Sequence, residues 1–147
     1  MVIISLDPYV PEGSEPQLEE TLEKLVEKGY TTFVVNNLAH INILKGKKGV
    51  HMIAGQYLYT FNKWAVSFLE NQNIMAVIPP AENSERNLND TFETENERSR
   101  VLVSVFSYPV LFRMRFKLPK DYDFTYFSDK ERMGFKVNST DDGSFVM

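Results

Sequence analysis

The sequence predicts an α/β fold: parallel βα units forming either an open sheet or a partial, half TIM-like barrel, followed by a small antiparallel β segment. Three observations predict it. Apolar, β-branched runs start roughly every 20 to 30 residues, the spacing that parallel strands joined by helical crossovers require. These runs are continuous and do not alternate, as expected of strands covered on both faces. After Tyr108-Pro109 the pattern changes to alternation, the mark of a strand with one wet face.

The elements follow in order. "VIISL" (Val2–Leu6) reads as a buried strand closed by Asp7-Pro8. The turn-rich "VPEGSEP" leads into "QLEETLEKLVEKG", where Leu18, Leu22, Leu25 and Val26 make one apolar stripe of a helix. Gly29 stands where a helix C-terminus favours a residue tolerant of positive φ. "TTFVV" (Thr31–Val35) is the second strand. Asn36 or Asn37 then caps a short helix carrying Leu38, Ile41 and Leu44, ended by Gly46 and Gly49. "VHMIA" is the third strand. Phe61, Trp64, Ala65, Phe68 and Leu69 recur at helical spacing and predict the apolar face of the next helix. "IMAVI" (Ile74–Ile78) is the fourth strand, stopped by Pro79-Pro80.

The polar stretch "ENSERNLNDTFETENERS" predicts a short surface helix through Leu88 and Phe92 that frays into a charged loop. "VLVSVF" (Val101–Phe106) is the fifth strand. Beyond Pro109, Val110, Phe112, Met114, Phe116 and Leu118 alternate with Leu111, Arg113, Arg115 and Lys117. "FTYF" and "GFKV" form a further hairpin, and "STDDGS" a turn. The chain thus divides into residues 1–108, a parallel βα region, and residues 109–147, a β segment packed on it, one domain overall.

Composition sets limits. The chain has 147 residues and a complete (β/α)8 barrel needs about 250, so only part of one can be present. Part of a barrel leaves two open sheet edges, which invite self-association or a missing barrel half as partner. A net charge of -4 argues against duplex nucleic acid bound through a basic face. No apolar run is long enough to span a bilayer, and "MVIISLDPYVPEG" lacks the basic start and long apolar stretch of a signal peptide. The chain has no cysteine, which excludes disulfides, thiolate catalysis and cysteine-ligated clusters made by this chain alone. The expected setting is cytoplasmic, with no membrane partner.

In parallel α/β architectures, sites form where strand carboxyl ends meet the following helices. Those positions hold Asp7, Asn36, Asn37, Gln56, Tyr57, Tyr59, Asn62 and Glu82. Each has a plain structural reading: Asp7 as a turn residue, the asparagines as helix caps, Glu82 as a complement to a helix dipole. As a set they gather amides and phenols on one rim. His40 falls in a helix body and His51 opens a strand, with no metal-ligand spacing. No G-x-S-x-G, G-x-G-x-x-G or G-x-x-x-x-G-K-[ST] motif occurs. "GKKG" (Gly46–Gly49) reads as a solvated basic turn, and Arg113 and Arg115 as an anion clamp or a solubilised face.

Several stretches resemble the collagenase-like peptidases of family U-thirty-two. Asn37-Leu38-Ala39 is similar to that family's N-L-G turn, with Ala39 for Gly. Gly55-Gln56-Tyr57-Leu58-Tyr59-Thr60-Phe61-Asn62 resembles its G-D-x-x-L-N-v-f-N segment, with Gln56 for the acid and Tyr59 for the first Asn. "IPPAENSERNL" looks like its S-P-E segment, aligning Pro80 and Glu82 across one extra residue, and "FSYPVLFRMRF" places Arg115 at its strand arginine. The likeness covers residues 2–137. It implies a later part of a longer barrel protein: a fragment of a peptide-bond hydrolase of unassigned mechanism, inactive alone, with Asn37, Gln56, Tyr59, Asn62, Glu82 and Arg115 facing a peptide or protein substrate. The alternative it implies is a non-catalytic binding or partner module of an RNA- or quinone-modifying hydroxylation system. The cysteines that hold the family's iron–sulfur cluster are absent, so no cofactor is expected.

Overall fold

The computed structural model describes residues 2–106, 112–114, 126–140 and 143–146. They fall in two compact units, 1–104 and 105–147.

The first unit is α/β. Four parallel strands, β1 (Ile4–Ser5), β2 (Thr32–Val35), β3 (His51–Ala54) and β4 (Ile74–Val77), lie side by side in chain order. Ile4 pairs with Phe33, Phe33 with Met52, and Met52 with Ile74. The helices between them are α1 (Glu15–Glu27), α2 (Leu38–Leu44) and α3 (Lys63–Glu70), with a 3-10 turn over Gln56–Leu58.

Side-chain alternation assigns the two sheet faces. Phe33, Val35, Met52 and Ala54 join one core cluster with Leu22 of α1, Ile41 and Leu44 of α2, and Val66 and Leu69 of α3. All three helices therefore pack on one face. Val34 and Ile53 project to the other; they are buried, yet lie outside that cluster. The stripe expected on α1 holds, with Leu18, Leu25 and Val26 partly buried around Leu22. Gly29 closes α1 at φ 89°, and the Tyr30 N–H donates back to the Leu25 carbonyl.

The α3 stripe differs from expectation. Its cap is Asn62, and the sheet takes Val66 and Leu69. Trp64 is 87% exposed and Phe68 53%. Aromatic spacing at i, i+4 marks a stripe but not which stripe meets the sheet, and here the smaller residues fit against it. Leu38, in the first turn of α2, is likewise exposed.

The expected fifth strand is not formed. Only Val101 contributes, through one parallel bridge to Val77, and residues 102–106 carry no strand. Val105 is 96% exposed. Apolar β-branched composition alone does not make a strand when no neighbour supplies a ladder. The polar stretch before it holds two helices, α4 (Glu85–Thr91) and α5 (Glu95–Arg98). The second exists because Thr94 and Glu97 form a reciprocal capping box. The basic turn after α2 is also not merely solvated. Lys47 donates to Glu23 at 2.8 Å, with Glu19 at 3.7 Å, tying the α2 end to α1. The hydrogen bond to Glu23 leads the effects that raise the Lys47 pKa.

The second unit is an antiparallel sheet in the order β5 (Phe112–Met114), β8 (Gly143–Val146), β7 (Gly134–Thr140), β6 (Tyr126–Ser128). The expected hairpin is present, with Phe127 opposite Phe135. Thr140 of β7 pairs with Gly143 of β8. Arg115 lies outside the described residues.

Candidate functional site

Two asparagines follow β2, and they act differently. Asn36 is buried and on the sheet face away from the helices. Its Nδ2 donates to the Leu6 carbonyl at 2.8 Å and to Ser5 Oγ at 3.2 Å, so it ties the end of β2 to the end of β1. Its Oδ1 presses on Gly55, where an added Cβ would sit 1.8 Å away. Gly55 has φ -83°, so the glycine is needed for space and not for backbone freedom. Asn37 caps α2, accepting from the Ala39 N–H at 2.9 Å, and its Nδ2 donates to the Pro8 carbonyl at 3.0 Å. One side chain thus stops a helix end from fraying and anchors the β1–α1 loop.

That anchored loop is the wall of a cavity of about 300 Å³. It is lined by Leu6, Asp7, Tyr9, Val10 and Pro11, by Ser14 at the start of α1, and by Gln17, Leu18 and Thr21 of α1. His40 of α2 completes it and is 1% exposed. The Asn36 N–H donates to His40 Nδ1 at 3.2 Å. A ring that accepts at Nδ1 while neutral carries its proton on Nε2. Burial holds the His40 pKa below its ordinary value, against the opposing pull of the Asp7 carboxylate. His40 is therefore a neutral donor lining the cavity. Ser14 Oγ donates to the Pro11 carbonyl at 2.7 Å and Thr21 Oγ1 to the Gln17 carbonyl at 2.8 Å. Both hydroxyl protons are engaged, so these oxygens offer lone pairs.

The other expected site residues lie apart from this cavity. Gln56 opens the 3-10 turn and is half-buried. Tyr57 beside it is also half-buried. Tyr59 ends the turn in the left-handed region at φ 51° and stacks on Phe61, ring centroids 6.2 Å apart. Asn62 caps α3 by accepting from the Ala65 N–H at 2.9 Å. Glu82 is exposed in the turn after Pro79-Pro80. None of Gln56, Tyr57, Tyr59, Asn62 and Glu82 lines the cavity.

Sequence reasoning missed Asn87, which holds the Gln56–Asn62 segment by donating to the Phe61 carbonyl at 3.0 Å. It also set His40 aside. The available signal was a histidine on the buried stripe of α2, next to Ile41 and five residues after Val35, the end of β2. Among the described residues no group of three or more potential ligands could hold a metal ion. Among the same residues no helix is long and apolar enough to cross a membrane.

Fold and site together define an α/β protein with a cavity of mixed polar and apolar lining at the carboxyl end of its first parallel strand. No family model, curated protein or solved structure matches the chain.

Proposed function

We propose that this chain binds and does not cut: a non-catalytic module that takes a peptide or small polar ligand in the cavity between the β1–α1 loop, α1 and His40. The observation that carries the reading is the way the strand-end amides are engaged. Asn36 and Asn37 hold the cavity wall through Leu6 and Pro8, and Asn62 caps a helix. A nucleophile–base pair would need a side chain poised to take a proton from a hydroxyl. The Ser14 hydroxyl instead donates to a backbone carbonyl, and the neutral His40 accepts from the Asn36 N–H. Thermal-shift measurement with a panel of short peptides tests the proposal. A rise in melting temperature that depends on peptide concentration, with every peptide recovered uncut, is expected. Cleaved peptide would contradict it, as would no rise with any member of the panel.

A second reading is favoured by the strand order. Four parallel strands in uninterrupted chain order, with α1 to α3 on one face, suit part of a (β/α)8 barrel better than a doubly wound sheet, which reverses its order and covers both faces. On this reading the chain is a portion of a U-thirty-two-like peptidase that has no activity alone. Coding sequence for further βα units directly upstream of Met1 is the expected finding. An in-frame stop codon there would count against it.

A further inference from the structure

We infer that the β1–α1 loop is an acid-sensitive wall: uptake of a proton by His40 undoes its hydrogen bond with Asn36, frees the loop from the end of β2 and opens the cavity. This goes beyond the binding-module reading and does not rest on it, because the loop moves whether or not the cavity is filled. Geometry carries the inference. His40 is 1% exposed, and its Nδ1 accepts from the Asn36 N–H at 3.2 Å. An imidazolium carries a hydrogen on both nitrogens. The Asn36 N–H then faces another donor, and a buried N–H is left without a partner. Asn36 cannot yield toward β3, because its Oδ1 already sits over Gly55, where an added Cβ would be 1.8 Å away. The displacement therefore falls on the β1 side, on the bonds from Asn36 Nδ2 to the Leu6 carbonyl and Ser5 Oγ. Asn37, the next residue, carries the bond to the Pro8 carbonyl with it.

The charges around the ring favour the same movement. The titratable groups of the loop are Asp7, Tyr9 and Glu12, and the charge that acts on His40 is the Asp7 carboxylate. On α1, Glu20 pairs with Lys24, and Glu19 and Glu23 with Lys47. Helix α2 carries no titratable residue besides His40. Asp7 Oδ1 accepts from the Tyr9 N–H at 2.9 Å, so a cation drawn to Asp7 and away from Asn36 pulls on the turn that shapes the loop. Burial holds the enclosed ring below its ordinary pKa, with Asp7 opposing. In the open loop the ring meets water and regains a value of about 6.5. Protons therefore favour the open loop as pH falls below about 6.5, progressively down to the pKa of the enclosed ring.

A pH titration of the isotope-labelled full chain from pH 7.5 to 5, without ligand and followed by nuclear magnetic resonance, tests this. The expected result is one midpoint shared by the His40 ring nitrogens, the Asn37 side-chain amide and the Val10 backbone amide, with the Val66 amide of α3 unmoved. In Asp7→Asn the side-chain oxygen can still accept from the Tyr9 N–H, but the charge is gone. The midpoint is then expected to fall by about one pH unit, in ring and amides together. In His40→Asn the side-chain oxygen takes the place of Nδ1, and the pH-dependent shifts at Asn37 and Val10 are expected to vanish. Should His40→Asn fail to fold, Asp7→Asn decides alone. Asn37 and Val10 signals that stay put while the ring titrates overturn the inference. So do a loop transition that survives His40→Asn, a midpoint unchanged in Asp7→Asn, and a ring that stays neutral until the whole chain unfolds.

Discussion

The two ends of the parallel sheet use the same residue for different work. At the β1–β2 end, Asn36 and Asn37 reach across about thirty residues of chain to the Leu6 and Pro8 carbonyls, and a cavity opens beside them. At the β3–β4 end, Asn62 reaches three residues, to Ala65, and stops. Strand-end asparagine therefore marks a helix start at both places. Only a long-range partner distinguishes a side chain that builds a site from one that finishes a helix.

The sharpest way to break this contrast is Gly55→Ala. Its methyl would lie 1.8 Å from Asn36 Oδ1, so the Asn36 side chain must leave and give up both bonds to β1. A loss of about 3 kcal/mol is expected by urea denaturation. Asn36→Ala removes the same bonds without the collision and is expected to cost about 2 kcal/mol. The double variant should cost clearly less than the sum, because the two residues contest one space. Additive costs would show that the contact does not limit stability.

Asn37→Ala should cost about 1.5 kcal/mol, more than the roughly 1 kcal/mol of Asn62→Ala, since the first loses a cap and an anchor and the second a cap alone. It should also weaken binding in the cavity, which Asn62→Ala leaves intact.

Acid provides a milder test. The folded His40 pKa lies below the ordinary imidazole value, with burial the main cause. The unfolded chain therefore takes up this proton first as pH falls below about 6.5. Stability is full above that pH, and is lost progressively down to the folded pKa. A His40→Asn chain should show a flatter dependence of melting temperature on pH between 7.5 and 5 than the parent. Identical slopes would remove His40 from the account. The smallest effect is expected at Trp64→Ala, within about 0.5 kcal/mol, because the indole is 87% exposed.

The sequence made the scaffold legible where a pattern was local. The run Thr31–Val35 and the α1 stripe through Leu22 could be read because strand and helix periods differ. Asn37 and Asn62 could be read as caps because capping acts within three residues. What was hidden was non-local. Nothing near Asn36 in the chain points to Leu6, and nothing near Gly55 points to Asn36. His40 resembled an ordinary helix residue because its role comes from the β1–α1 loop that α2 faces. The same limit explains the errors. Trp64 and Phe68 have the spacing of a core stripe, but the sheet contact chose Val66 and Leu69. Val101–Phe106 has the composition of a strand, but ladder pairing ends at Val101.

The most direct measurement is a titration of the isotope-labelled chain with the short peptides of the thermal-shift panel, followed by nuclear magnetic resonance. The account predicts saturable shifts at His40 Nε2–H and at the backbone amides of Asn36, Asn37 and Leu18, with Gln56, Tyr59 and Asn62 unmoved. Shifts confined to Gln56–Asn62, or none at His40, would contradict it.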